Sequence, residues 1–488
     1  LMITSCSKEV VDESPLFDSN ALIPSGSLNQ SERFSGYSGS QGEEYLEYEE
    51  NGFINTIDEP VSTFSIDSDG ASYANVRRFL NEDEMPPKDA VRSEELINYF
   101  EMDYPYPDGN EGLKVNAEVA TCPWNITNQI IRIGVRGKDI SDIELPPSNF
   151  VFLIDVSGSM GSPFKIELLK ESFIEFVEFL PKHDRIAIVT YSGSSNVVLN
   201  STLVSEKNKI IEAIAGLQTG GGTNGAEGII TAYEIADANF IAGGNNRLIV
   251  ATDGDFNIGV SSIDGLQTLI EEKRETGVFL SVLGFGRGNL RDGLMEVVSN
   301  NGNGTYEYID NKEQAFKVFI DEYKKFYAAA KDVKIQVRFN PNAVLSYRLI
   351  GYENRLLENR DFEDDKKDAG ELGINQTITA LYEIVPNLNT ITEPYGDIKY
   401  RYKDPEADFS VENRLDIPNR LFSFNRSSDN MQFATAVAGF GMLLRESEYG
   451  SNIEYDDVLE WASNSRSYDP GGWRAEFLEL VEKAKSLR

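Results

Sequence analysis

The chain has 488 residues, of which 40% are hydrophobic and 11% aromatic, with 45 Lys and Arg against 80 Asp and Glu. This is the composition of a globular protein, and at roughly 150 residues per domain the length predicts about three domains. A net charge of −35 repels phosphate backbones and argues against nucleic-acid binding. One histidine and two cysteines are too few for a zinc site or a disulfide framework. No apolar run approaches the roughly 20 residues of a membrane-spanning helix, so no transmembrane segment is predicted.

The first residues resemble the end of a bacterial lipoprotein signal, Leu1-Met2-Ile3-Thr4-Ser5-Cys6. In such lipoproteins the signal is cut before the cysteine and the thiol is acylated, so Cys6 is the expected lipidation site; a chance match is the alternative. Residues 1–50 are then a lipobox remnant and a flexible acidic tether, because they are rich in Ser, Asn, Gly and acids with little periodicity. Cys122 would have no partner within the chain and is expected to be a buried thiol.

Residues 51–112 are predicted to be an N-terminal helical segment. Apolar residues recur at helical spacing over residues 72–80 and 92–100. Pro86 and Pro87 break the pattern between them, which favours two short helices.

Residues 146–330 differ from their surroundings, because near-continuous apolar stretches alternate there with amphipathic ones. The predicted strands cover residues 150–154, 185–191, 248–252, 279–284 and 306–309. The predicted helices cover residues 164–180, 207–217, 226–238, 262–275, 290–299 and 313–328. Alternating βα units with strands buried on both faces form parallel sheets, so we predict an α/β domain with a doubly wound, mainly parallel sheet.

Extended segments lie on both sides of this domain. Residues 113–145 alternate in a period of two, and β patterns return over residues 331–405. The ends of a doubly wound domain often lie close together. We therefore predict that the α/β domain is inserted between segments of a β-sandwich, with 113–145 pairing with 331–405; the alternative is a row of separate domains. Helical patterns predict a C-terminal helical segment over residues 406–488.

Oxygen-bearing side chains follow the predicted strands at three places in the α/β domain. They form a D-x-S-x-S motif, a threonine after three glycines and a Thr-Asp-Gly segment. The residues concerned are Asp155, Ser157, Ser159, Thr223 and Asp253. Because ligands bind outside the carboxyl ends of strands in open α/β sheets, we expect them to meet at one site. They offer only hard oxygen atoms, which suit Mg²⁺, or Mn²⁺ or Ca²⁺.

The charge of this site predicts how it is completed. Three neutral hydroxyls and two carboxylates, some of them acting through water, leave a divalent ion underneutralised, with an octahedral position open. A carboxylate of a partner protein, from Asp or Glu, would fill that position and give a directional, metal-dependent contact.

Together these residues resemble the metal-ion-dependent adhesion site (MIDAS) of von Willebrand factor type A (VWA) domains. The resemblance implies a Rossmann-like VWA fold in which Ser157, Ser159 and Thr223 are direct ligands, while Asp155 and Asp253 bind directly or through water. Segments on either side of the domain, among them residues 75–81, 122–125 and 347–355, resemble YfbK-like bacterial lipoproteins.

Three functions are consistent with the sequence. The first is a non-enzymatic protein that binds a protein partner through the ion. It would be lipid-anchored in the bacterial cell envelope, on the outer membrane, and would face either the periplasm or the surface. The second is a metal-dependent hydrolase of phosphate esters or glycans. The metal loops argue against it, because they contain no His, Lys or Cys that could act as base or nucleophile. The third is a structural envelope protein stabilised by Ca²⁺. The first is preferred, and no catalytic residue is predicted.

Overall fold

The computed structural model describes residues 33–36, 42–223, 225–254, 263–389, 393–417 and 421–488. The predicted lipidation site, Cys6, and most of the predicted tether lie outside the described residues.

The described chain contains strands along most of its length, and its helices lie mainly within the α/β domain and near the C-terminal end. The strands are β1 (Arg33–Gly36), β2 (Glu44–Glu47), β3 (Ile54–Asn55), β4 (Val61–Ser65), β5 (Leu113–Thr121), β6 (Gln129–Gly137), β7 (Ser148–Asp155), β8 (Arg185–Tyr191), β9 (Ser195–Leu203), β10 (Asn245–Thr252), β11 (Phe279–Phe285), β12 (Tyr306–Ile309), β13 (Ala328–Phe339), β14 (Val344–Ile350), β15 (Leu356–Leu357), β16 (Gly370–Gly373), β17 (Thr377–Pro386), β18 (Gly396–Lys403), β19 (Val411–Asp416) and β20 (Leu421–Phe422). The helices are α1 (Ala71–Asn81), α2 (Ser93–Asn98), α3 (Leu168–Phe179), α4 (Lys207–Ala215), α5 (Gly225–Ala238), α6 (Ile263–Arg274), α7 (Asp292–Asn301), α8 (Lys312–Phe316), α9 (Asp429–Arg445), α10 (Tyr455–Ser463) and α11 (Trp473–Leu487).

The α/β domain is built on a sheet of order β12-β11-β10-β7-β8-β9. All neighbouring strands are parallel except the edge pair β8 and β9. One apolar core packs α3 and α4 against one face of the sheet, and a second packs α5 and α7 against the other. The predicted fold class, a doubly wound and mainly parallel sheet, is therefore confirmed.

The sandwich sheets contain strands from both sides of the α/β domain. One sheet has the order β20-β5-β6-β17-β14-β3, and the other has the order β15-β4-β13-β18-β19 with β16 beside β13. In the first sheet β6 precedes the α/β domain and β17 follows it, and the two pair antiparallel with Ile133 opposite Ala380. The two sheets enclose one apolar core, which includes Phe64, Ile335 and Tyr382. The chain thus leaves the sandwich after β6, forms the α/β domain and returns at β13.

The predicted helical segments also contain strands, which sequence periodicity did not indicate. β3 and β4 lie within residues 51–112, and β19 and β20 lie within residues 406–488. β3, β19 and β20 lie at sheet edges and are short or largely exposed, so they leave little alternation in the sequence. The last predicted helix of the α/β domain, residues 313–328, is interrupted. The regular α-helix α8 ends at Phe316 and is followed by a π-helical turn, Lys317–Asp321, and a 3-10 turn, Tyr323–Phe326. Ala328 already belongs to β13, which pairs with β16 and β18.

The helices outside the α/β domain form a single flank against the sandwich. α1, α2, α9, α10 and α11 share one apolar core that also includes Ile130, Ile350 and Leu381 of the sheet β20-β5-β6-β17-β14-β3. In the part of the chain that the structure describes, none of the helices combines the length and the apolar character needed to cross a lipid bilayer.

Candidate metal centre

The parallel sheet brings the two acidic residues among the predicted metal ligands to the ends of neighbouring strands. β7 ends at Asp155, and β10 ends at Thr252 immediately before Asp253. β7 and β10 are adjacent, with Ile154 opposite Ala251, so both carboxylates emerge at the same edge of the sheet. Backbone hydrogen bonds also draw the glycine run against this edge: Gly220 N donates to Val156 O at 2.8 Å, and Gly158 N donates to Gly221 O at 3.3 Å.

Asp155 is the most enclosed of the predicted ligands and has no exposed surface. Its Oδ1 accepts a hydrogen bond from Ser157 N at 2.8 Å, and its Oδ2 accepts one from Thr252 Oγ1 at 3.3 Å. Burial, with a smaller contribution from the charge of Asp253, raises the pKa of Asp155 to about 6. A cation placed between the two carboxylates would offset both effects.

The two serines of the motif have a spacing that is compatible with an octahedral ion. Ser157 Oγ and Ser159 Oγ are hydrogen-bonded to each other at 2.9 Å. Adjacent ligands of an octahedral Mg²⁺ at about 2.1 Å from the metal are separated by about 3.0 Å, so both hydroxyls fit one ion. Ser157 is buried and Ser159 is exposed, so the site opens to solvent on the Ser159 side.

Glycines allow the loops to approach closely around this edge. Gly221 has φ +89° and Gly254 has φ +97°, in the region that side chains disfavour. A Cβ on Gly254 would lie 2.5 Å from Arg291 N, so the Asp253 loop could not pack there with any other residue. Thr223 follows the glycine run and is half-buried. The donor set of carboxylates and hydroxyls fits a hard divalent cation.

The site also contains a cation that the sequence motifs do not indicate. The metal loops themselves contain no lysine, but Lys165, in the π-helical turn Pro163–Glu167 that precedes α3, reaches the Asp253 loop. Lys165 Nζ donates to Asp253 Oδ2 at 2.9 Å and to Asn289 Oδ1 at 2.8 Å, and its side chain is 9% exposed. The turn is fixed by Ser162, whose Oγ accepts from Phe164 N at 3.2 Å. The only signal in the sequence was the lysine itself, one turn beyond the D-x-S-x-S motif.

Family comparisons cover most of the chain. The model described as von Willebrand factor type A domain matches residues 149–322, and the one described as von Willebrand factor matches residues 39–132. The model described as Uncharacterized protein YfbK, C-terminal, matches residues 324–394 and 388–487.

Individual relatives differ in how much of the chain they share. The Uncharacterized protein YfbK of Escherichia coli (strain K12) is 38% identical over 469 residues, which covers 91% of this chain and 81% of that protein. Inter-alpha-trypsin inhibitor heavy chain H4 of Homo sapiens is 29% identical over 148 residues, which covers 29% of this chain and 16% of that protein. Among solved structures, a von Willebrand factor type A protein from Catenulispora acidiphila is 15% identical with a TM-score of 0.44, covering 78% of this chain and 91% of that one.

The family match explains the α/β domain and its surroundings together. The VWA domain indicates a role in protein–protein adhesion or interaction. The identity to YfbK extends through the flanks and the sandwich as well. The chain therefore belongs to the YfbK family of VWA-domain proteins.

Proposed function

We propose that this protein is a lipid-anchored protein of the bacterial cell envelope that binds a protein partner through a divalent metal ion, Mg²⁺ or otherwise Mn²⁺ or Ca²⁺. A carboxylate from an Asp or Glu of the partner completes the coordination. The ion is held by Asp155, Ser157, Ser159, Thr223 and Asp253. Cys6 carries the lipid, which is the only contact of the protein with the membrane.

The observation that carries this proposal is the serine pair. A separation of 2.9 Å between Ser157 Oγ and Ser159 Oγ matches two adjacent positions of an octahedral ion. Because Ser159 is exposed, an ion bound at this pair would be accessible from solvent and to a macromolecule. A buried structural Ca²⁺ site would offer no such opening.

The arrangement supports a binding role over hydrolysis. Lys165 contacts one of the predicted ligands, and its ammonium is held by Asp253 and Asn289. A lysine that donates to a carboxylate in this way is a poor general base. Asp155 is a ligand of the ion in this proposal and has no exposed surface, so it is not available as a nucleophile.

The test is the full chain with Cys6→Ser, compared with the same chain carrying Ser157→Ala and Ser159→Ala. We expect the parent protein to bind one Mn²⁺ or Mg²⁺ in calorimetry and to retain envelope proteins on a column only when Mg²⁺ is present. The double variant should lose both properties and keep its melting temperature in chelator. Ser194→Ala, an exposed serine on the turn between β8 and β9, is the matched control and should behave as the parent. Metal binding or metal-dependent capture that survives in the double variant would contradict the proposal.

A further inference from the structure

The ion pair between Lys165 and Asp253 changes the charge balance of the metal site. The buried carboxylates of Asp155 and Asp253 carry two formal negative charges, which balance the charge of a divalent ion only if both bind the ion directly. Lys165 Nζ lies 2.9 Å from Asp253 Oδ2 and takes up one of these charges. The site therefore keeps one net negative charge, and a bound divalent ion leaves one net positive charge.

The position of Lys165 is fixed by the surrounding chain. Asn289 Oδ1 accepts a second hydrogen bond from Nζ at 2.8 Å, which holds the ammonium between two loops. Gly286, with φ +77°, lies directly under the aliphatic part of the side chain: a Cβ there would be 2.3 Å from Lys165 Cγ. The loop after β11 thus provides both a glycine that makes room for the lysine and an amide that orients it. The side chain is 9% exposed, so solvent screens its charge only weakly.

We propose that Lys165 is a positioning residue that makes the metal site depend on an anionic ligand. By holding Asp253 Oδ2, it directs the other carboxylate oxygen toward the ion and prevents the protein from neutralising the ion alone. The ion then binds a carboxylate of the partner more strongly, because that carboxylate supplies the missing negative charge. The cost is a weaker affinity for the ion when no partner is present, since the ammonium repels it. This inference rests on the proposed function, and it names an acidic group as the chemistry of the partner.

The test uses Mn²⁺ as the ion and acetate as the smallest carboxylate, with the full Cys6→Ser chain. Mn²⁺ affinity is measured by calorimetry, and acetate binding is measured by the fall in water-proton relaxation as acetate displaces water from the ion. In Lys165→Met we expect Mn²⁺ to bind at least about tenfold more tightly, equivalent to about 1.4 kcal/mol, and acetate to bind the loaded protein about tenfold more weakly.

Two further variants separate the charge of Lys165 from other effects. Lys165→Arg keeps the cation and should retain the behaviour of the parent. Lys170→Met removes the same charge from α3, where Lys170 pairs with Glu167, and should leave both affinities unchanged. A merely structural role for Lys165 would lower the melting temperature without moving the two affinities in opposite directions.

The outcomes distinguish this inference from the proposed function. If the parent binds Mn²⁺ and Lys165→Met has the same Mn²⁺ and acetate affinities, the inference is overturned and the proposed metal site stands. If Lys165→Met binds Mn²⁺ and the parent does not, Lys165 excludes the ion as inferred, and the proposed function of the native chain is overturned. If neither protein binds Mn²⁺, both fail.

Discussion

The free energy of unfolding should fall as the pH rises from 5 to 8.5, because buried glutamates titrate in this interval. Glu94, in α2, is 1% exposed, and its Oε2 has no hydrogen-bond partner among the described residues. Burial, followed by the charges of Glu353, Asp67 and Glu95, raises the pKa of Glu94 from 4.5 to about 8. Burial likewise raises the pKa of Glu95 to about 8, although Arg92 opposes the shift.

The sign follows from the proton count. Each of these glutamates has a higher pKa in the folded chain than in the unfolded chain, so the folded state binds more protons between the two values. Stability from these groups is complete below pH 4.5 and is lost as the pH rises toward 8. A shift from 4.5 to about 8 corresponds to at most about 5 kcal/mol for Glu94 alone. The charges of Glu94 and Glu95 influence each other, and the side chains relax when they ionise. We therefore expect the ionisation of Glu94 to lower the free energy of unfolding by about 2 kcal/mol.

The variant that tests this reasoning is Glu94→Gln, a neutral side chain of the same shape as the protonated acid. Urea unfolding at pH 5 and pH 8.5 should show that the variant loses about 2 kcal/mol less than the parent across the interval. Glu84→Gln, an exposed glutamate just after α1, is the control and should follow the parent. Equal losses in Glu94→Gln and the parent would refute the assignment of the pH dependence to Glu94.

Two further predictions concern buried polar groups. Arg77 has no exposed side-chain surface, and it donates hydrogen bonds to Asp310 at 2.6 and 2.9 Å and to Glu476 at 3.1 Å. Arg77→Met would leave these carboxylates without their buried cation and should lower the free energy of unfolding by about 3–5 kcal/mol in urea. A change below about 1 kcal/mol would contradict this prediction. The thiol of Cys122 is fully buried, and burial raises its pKa above the usual value. In the Cys6→Ser chain a thiol reagent should therefore modify Cys122 no faster than the protein unfolds, and rapid modification under native conditions would show that the thiol is accessible.

Much of the α/β domain could be predicted because its signals are local. Apolar strands such as β7 and β10 are buried along their whole length, and each is followed by an amphipathic helix or by a loop with hydroxyls and acids. Because ligands bind at the carboxyl ends of parallel strands, the sequence alone predicts that Asp155 and Asp253 lie at the same edge of the sheet. The edge strand β9 could not be predicted in this way. It pairs on one side only, and only Leu199 and Thr202 of its nine residues are buried, so its sequence lacks a continuous buried face.

Lys165 illustrates a different limit, since its role depends on a contact between distant segments. Nothing in the sequence around Lys165 indicates that Asn289 and Gly286 lie beside it, because that loop follows a different strand. Residues that precede the α/β domain hold the same loop from outside the domain. Glu43 Oε1 accepts a hydrogen bond from Gly288 N at 3.0 Å, and Arg92 forms an ion pair with Asp292 at the start of α7, just after this loop. The loop that orients the lysine at the metal site is thus anchored by residues that precede the α/β domain by many positions. An isolated VWA domain would lack these anchors, so the loop that orients Lys165 depends on the whole chain for its position.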